Sequence, residues 1–314
     1  MWWILGVILV VALGGIAYML KITLPIADRV YKEHLVKTSP DKWGRVCSAP
    51  DNEEQMMMWE SGCDWAKANE AFMQPVQIEN DGLQLHGQWY RFNQEDRCAI
   101  ILPGRAESLK YSYYFAQTYA KAGWNVLCID PRAHGKSDGM YNTIGQAESR
   151  DLLAWIRLLE EEFGVKQIYL HAICVGTSTA LITMTRSDCP NSVKGLVTEG
   201  CYVSFRETFR QHMIVDKRPL FPVLDLVMHN IRKHTGTNLR KTAPIRLVKK
   251  LKHRVLFIYG KEDLFSIPPM SRKLFKACAS PDKQIHWFDV GCHSHLRLNN
   301  TETYDQVVAE FIHG

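Results

Sequence analysis

The sequence predicts an α/β fold, a mostly parallel central sheet covered by helices on both faces. The first observation is a series of short, continuous apolar runs: CAIIL (98–102), NVLCI (125–129), QIYLH (167–171), VKGLVT (193–198), RVLFIY (254–259) and QIHWF (284–288). The second is that helical stretches separate most of them, at 107–122, 145–163, 175–187, 269–278 and 302–313. Apolar strands alternating with helices are the pattern of a parallel sheet buried on both sides. The third is an ordinary globular balance, 46% hydrophobic and 23% charged over 314 residues, enough chain for a sizeable core.

From the N-terminus, residues 2–20, WWILGVILVVALGGIAYML, contain no charge. About 20 apolar residues span the hydrocarbon core of a bilayer. Trp2, Trp3 and Tyr18 sit near the ends of the run, where such rings favour the interface. A cleaved signal peptide is the alternative, but it calls for a basic leading segment and a small-residue cleavage site. Only Met1 precedes the run, and AYML before Lys21 is a poor site, so an anchor is expected. Lys21, Arg29, Lys32 and Lys37 follow it, which by the positive-inside rule puts the rest of the chain in the cytoplasm.

Residues 21–75 read as a helical extension of unassigned role, with a short amphipathic helix in IADRVYKEHLVK and a second helix in EEQMMMWESGCDWAKANEAF. At Val76 the rhythm changes. VQIEN, the turn Asp81-Gly82 and LQLHGQWYRF form a hairpin. The domain then runs over 76–314, with residues 199–252 interrupting the alternation as an inserted lid.

The net charge of +5 is too small to argue for nucleic acid. The nine cysteines include no CxxC pair, so neither a metal site nor a redox dithiol is expected, and free thiols fit a reducing compartment.

Reactive groups in such sheets sit just past the C-terminal strand ends. After QIYLH comes Ala172-Ile173-Cys174-Val175-Gly176, a G-x-S-x-G turn with Ala for the first Gly and Cys for Ser. The tight strand-to-helix turn lifts the nucleophile into the open site, and a helix N-terminus favours thiolate. Ser178, in the following G-x-S-x-small run, is a rival one helical turn further on. After CAIIL comes Pro103-Gly104-Arg105, which offers the Arg105 N–H as one oxyanion donor, with the Val175 N–H as the other. After RVLFIY, Asp263 is the carboxylate expected to orient a histidine, with Glu262 as runner-up. After QIHWF come His293 and His295, either of which suits a base, and His134 in DPRAHGKSDG is a third candidate.

The order nucleophile, acid, histidine is that of the α/β-hydrolases. From about Val76 to Phe311 the chain resembles that superfamily, in its serine aminopeptidase S33-like and lysophospholipase-like group of membrane-anchored hydrolases. LPGRAES resembles the oxyanion loop, and IDPRAHGKSDGMY the D-x-R-[AG]-HG-x-S-x-G segment. GKEDLFSIPPMS resembles G-x-x-D-x-x-V-P, and GCHSHLRLNNTETYDQVVAEFI the G-x-H segment with its Tyr-containing last helix. The resemblance implies the α/β-hydrolase fold and carries the histidine onto His293. It also departs from the family, with Cys174 where most members have Ser and Pro103 where most have His.

The expectation is therefore a membrane-anchored hydrolase of acyl esters or thioesters, lipid-derived ones included, working through Cys174, His293 and Asp263 without cofactor or metal. A thioester acyl-enzyme also opens acyl transfer. A non-catalytic membrane protein that kept the fold is the other alternative. The lid is basic: Arg206, Arg210, Lys217, Arg218, Arg232, Lys233, Arg240, Lys241, Arg246, Lys249, Lys250 and Lys252 face few acids, around an apolar LFPVLDLVMHNI. That composition suits an anionic lipid surface.

Overall fold

A computed structural model describes residues 2–44, 47, 49 and 51–314. The elements in chain order are α1 (Trp2–Leu35), α2 (Glu53–Ala68), β1 (Met73–Asn80), β2 (Leu83–Tyr90), β3 (Arg97–Leu102), α3 (Leu109–Lys121), β4 (Asn125–Ile129), α4 (Glu148–Phe163), β5 (Gln167–Ile173) and α5 (Gly176–Met184). There follow β6 (Val193–Glu199), α6 (Phe205–Val215), α7 (Val223–Thr235), α8 (Pro244–Leu247), β7 (Arg254–Gly260), α9 (Pro268–Ala277), β8 (Lys283–Phe288), α10 (Leu296–Asn299) and α11 (Thr301–His313).

The eight strands form one sheet in the order β1-β2-β4-β3-β5-β6-β7-β8. The β1–β2 and β2–β4 pairs are antiparallel and every later pair is parallel. Each apolar run of the sequence is a strand, because both sides of the sheet are buried. In β3, Cys98, Ile100 and Leu102 enter the core under α4 and α5, whereas Ala99 and Ile101 enter the one under α3 and α11. This is the two-residue alternation of a strand with no solvent face.

The N-terminal segment differs from the sequence reading. One helix runs without interruption from Trp2 to Leu35, where the sequence suggests an anchor at 2–20 and a separate short helix beyond. Pro25 lies inside it. Its first part is exposed, with a mean hydropathy of 2.4 over the most apolar 18 residues, long and apolar enough to cross a membrane. Its last part is core: Ala27, Val30, Tyr31 and Leu35 pack with Phe205, Phe209, Val227 and Ile231 of α6 and α7. Tyr31 stacks on His234, and Val36 bridges to Tyr141. The start of the helical extension thus fills an apolar seam of the globular body, and that burial sustains the helix past Pro25.

Candidate active site

Four loops that matter leave the C-terminal ends of parallel strands. β5 ends at Ile173 and α5 starts at Gly176, so Cys174 and Val175 make the whole connection. Cys174 has φ +47°, a left-handed conformation that costs an L residue about 1–3 kcal/mol and is kept where the surroundings enforce it. They do so here: a Cβ at Gly176 would stand 2.4 Å from the Leu102 carbonyl oxygen, so the turn presses directly on the end of β3.

The loop after β3 also packs against the thiol side. A Cβ at Gly104 would lie 3.5 Å from the Cys174 Cβ and 2.8 Å from Glu107 Oε2. Glu107 accepts the Gly104 N–H at 2.7 Å, and burial pushes its carboxyl above the ordinary range in spite of that bond. The backbone N–H groups of Arg105 and Val175 have no backbone acceptor among the hydrogen bonds of the described residues. Both amides belong to the two loops that flank Cys174, and backbone N–H groups without an acceptor are able to hold a negative oxygen.

Asp263, after β7, and His293, after β8, meet at 2.7 Å through Oδ2 and Nδ1. The other Asp263 oxygen accepts the N–H groups of Phe265 at 2.8 Å and Ser266 at 2.7 Å. Burial alone would raise this carboxyl. The adjacent imidazole and the two amides outweigh it and hold the pKa below the ordinary value. For His293 burial disfavours the charged ring, but Asp263 and then Cys174 reverse the balance and lift its pKa well above the ordinary value. Its Nε2 is buried without a hydrogen-bond partner of good geometry, and Cys174 is the neighbour that acts on it. Phe265 meets the imidazole edge-on at 5.4 Å.

The other sequence candidates lie elsewhere. His295 Nδ1 faces Glu54 Oε2 of α2 at 2.8 Å, not Asp263. Glu262 is exposed. Ser178 is buried, with its Oγ 2.6 Å from the Tyr202 hydroxyl and 3.2 Å from the Thr242 carbonyl. His134 is buried, bonds the Arg132 carbonyl through Nδ1 at 2.9 Å and stacks on Trp43. Burial lowers its pKa to about 4, so it is a neutral packing group.

Sequence reasoning missed four neighbours. Glu107 is one. Glu199, at the end of β6, is fully buried beside the His293–Asp263 pair, accepting from Tyr304 Oη at 2.7 Å and Leu296 N at 3.2 Å. Burial raises its pKa to about 7. His212 of α6 stacks on Phe265 at 3.9 Å, and His34 of α1 reaches Arg105. Nothing in the local sequence of His34 or His212 marks them. Glu199 carried a usable signal, a lone acid at the C-terminal end of a buried strand. No cluster of three or more side chains able to hold a metal ion occurs among the described residues.

A parallel sheet with a left-handed turn after β5, a carboxylate after β7 and a histidine after β8 can be compared with known proteins. A family model described as alpha/beta hydrolase fold matches residues 100–219. The chain has the α/β-hydrolase fold. An esterase of Pyrococcus furiosus, Pf2001, superimposes with a TM-score of 0.64 at 21% identity, covering 79% of this chain and 94% of that one. An alpha-beta hydrolase from Vibrio vulnificus gives 0.62 at 16% identity, covering 92% and 93%. Among curated proteins, the uncharacterized protein YqkD of Bacillus subtilis is 27% identical over 217 residues, 68% of this chain and 69% of that protein. This α/β-hydrolase-fold chain therefore aligns with such proteins over most of its body.

Proposed function

We propose that the protein is a membrane-anchored thiol hydrolase of acyl esters or thioesters, in the S33-like and lysophospholipase-like group, with Cys174 in place of the usual serine. The observation that carries this reading is the strained backbone of Cys174, φ +47°, between two unclaimed amides and the His293–Asp263 pair. In this mechanism the Cys174 sulfur attacks the carbonyl carbon and His293 Nε2 takes the thiol proton. The oxygen that becomes negative is held by the Arg105 and Val175 N–H groups, each worth about 3 kcal/mol in a transition state. Collapse expels the alcohol or thiol, which takes its proton from His293. The same nitrogen then deprotonates a water that hydrolyses the thioester. Asp263 keeps the Nδ1 proton in place and stabilises the imidazolium. A thioester intermediate also reacts readily with amines, which keeps acyl transfer as the second reading.

The anchor is the exposed apolar part of α1, and Lys21, Arg29, Lys32 and Lys37 after it favour a cytoplasmic body. A basic lid supports docking on anionic lipid: Arg240, Lys241, Arg246, Lys249 and Lys250, with Lys273, line one open 980 Å³ basin.

The test is turnover of p-nitrophenyl esters and acyl thioesters of increasing chain length by the detergent-solubilised chain. Cys174→Ala is expected to abolish turnover, and trapping with hydroxylamine or amine acceptors separates hydrolysis from transfer. Full activity in Cys174→Ala would end this reading. Flotation with vesicles containing or lacking phosphatidylserine tests the lid.

A further inference from the structure

We propose that the site selects a reactant bearing a second, anionic group, a carboxylate or phosphate, and that the Arg105 guanidinium binds it in the cavity between α1 and the loop after β3. The term substrate here rests on the hydrolase reading above, whereas the anion site stands on the geometry of Arg105.

The Arg105 side chain is half-buried, and its hydrogen bonds among the described residues go to one residue. Nη1 lies 3.0 Å from His34 Nδ1 and donates to the His34 carbonyl at 3.3 Å. Arg218 Nη1 lies 3.0 Å from the other ring nitrogen, Nε2. Burial, and then Arg105 itself, push the His34 pKa down to about 3, so the ring is neutral and has one lone pair and one N–H. It can accept from one guanidinium only, and the other contact sets donor against donor. Arg218 has its own carboxylates, Glu33 at 3.0 Å and Asp216 at 3.5 Å. Arg105 has no carboxylate ion pair among the described residues, although charge taken out of water is normally paired.

The place for a partner adjoins it. A 510 Å³ cavity is lined by Arg105, His34, Lys42 and Glu107, with Glu33 and Asp41 also on its wall. Lys42 brings a second cation, fixed by its bonds to the carbonyls of Lys32 at 2.8 Å and Val36 at 2.6 Å. Glu33 is engaged by Arg218, and burial favours the neutral form of Glu107. An anion here takes the guanidinium in a two-pronged bond and frees His34 from its surplus donor. Gly104, adjacent to Arg105, abuts Cys174, so the anion sits about one arginine side chain from the reacting carbonyl.

The test uses the full chain in detergent and two readouts. The first needs no assumption about substrate: the rate of Cys174 alkylation by iodoacetate relative to iodoacetamide, followed on the Cys174 peptide by mass spectrometry, with exposed Cys292 as the reference. The expected result is an iodoacetate preference at Cys174 that Cys292 lacks, falling roughly ten- to a hundredfold in Arg105→Gln and less in Arg105→Lys. The second is the ratio of kcat/KM for charged and neutral esters. Mono-p-nitrophenyl glutarate against p-nitrophenyl butyrate probes an anion on the acyl side. Butyryl esters of 4-hydroxybenzoate and 4-hydroxyphenyl phosphate against phenyl butyrate probe the leaving group and separate carboxylate from phosphate. A preference for any charged member that collapses in Arg105→Gln supports the proposal and assigns the side. Equal alkylation ratios in wild type and Arg105→Gln overturn it even where neutral esters are hydrolysed. A clear alkylation preference without ester turnover keeps the anion site and removes the hydrolase reading.

Discussion

Glu199→Gln isolates a carboxyl group that makes folding of this protein depend on pH. Glu199 is fully buried, and its pKa of about 7 stands above the ordinary 4.5 chiefly through burial. A carboxyl that holds its proton more tightly when folded stabilises the fold fully below its unfolded pKa. That contribution is lost as pH rises through the folded value. A difference of roughly 2.5 units makes the loss about 2.5 kcal/mol between pH 5 and pH 8, or roughly 5–10 °C in Tm for a domain of this size. Gln keeps the shape. Its carbonyl can accept the Leu296 N–H, while its amide donates to Tyr304 Oη, whose own proton turns to His171 Nε2, 3.3 Å away. Urea denaturation of wild type and Glu199→Gln at unit steps from pH 5 to pH 9 reads the difference directly. The expected outcome is a variant that gains on wild type by about 2.5 kcal/mol as pH rises from 5 to 8 and is flat above. Parallel stability curves over that range would show that Glu199 does not titrate there, and the reasoning would fail.

Three further expectations follow from contacts described above or adjacent to them. His293→Gln should lower kcat/KM for an ester roughly a thousandfold or more, whereas His295→Gln, whose ring faces Glu54, should keep most of it; the reverse order would reassign the base. Gly176→Ala places a Cβ 2.4 Å from the Leu102 carbonyl oxygen and should cost about 1–3 kcal/mol in chemical denaturation, so an unchanged midpoint would contradict the packing of the turn on β3. Asp305→Ala leaves the 1% exposed Arg297 without the carboxylate it meets at 2.7 and 3.0 Å, and should cost about 3–5 kcal/mol, measured by the same denaturation.

The sheet was legible because a strand buried on both faces has no freedom in composition. CAIIL and NVLCI name themselves, and each became β3 or β4 to within a residue. Local geometry was legible for the same reason, since the small residues around Cys174 announce a turn too tight for side chains. Choices between near neighbours were less so. Asp263 is buried against His293 while Glu262 is exposed, a difference made by the path of the loop and not by residue type. His293 and His295 lie two residues apart in one turn, and what separates them is Glu54, on a helix 241 residues away. His34 is 71 residues from Arg105, and no periodicity records a contact that only the packing of α1 on the body creates. The boundary expected at residue 20 marks only the end of the uncharged run, whereas tertiary burial of Val30, Tyr31 and Leu35 carries the helix on to Leu35.

The unbroken course of α1 also has a mechanical consequence. Its 34 residues form a rod about 50 Å long, bare at one end and clamped at the other, with His34 of the clamped end touching the loop beside Cys174. A rod held in this way has no slack coupling. Whatever fixes the direction of its bare end fixes the angle at which the mouth of the site is presented. Pro25 is a softened joint between the two ends, having no N–H to give to the Lys21 carbonyl, so bending there lets the body tip without unseating His34.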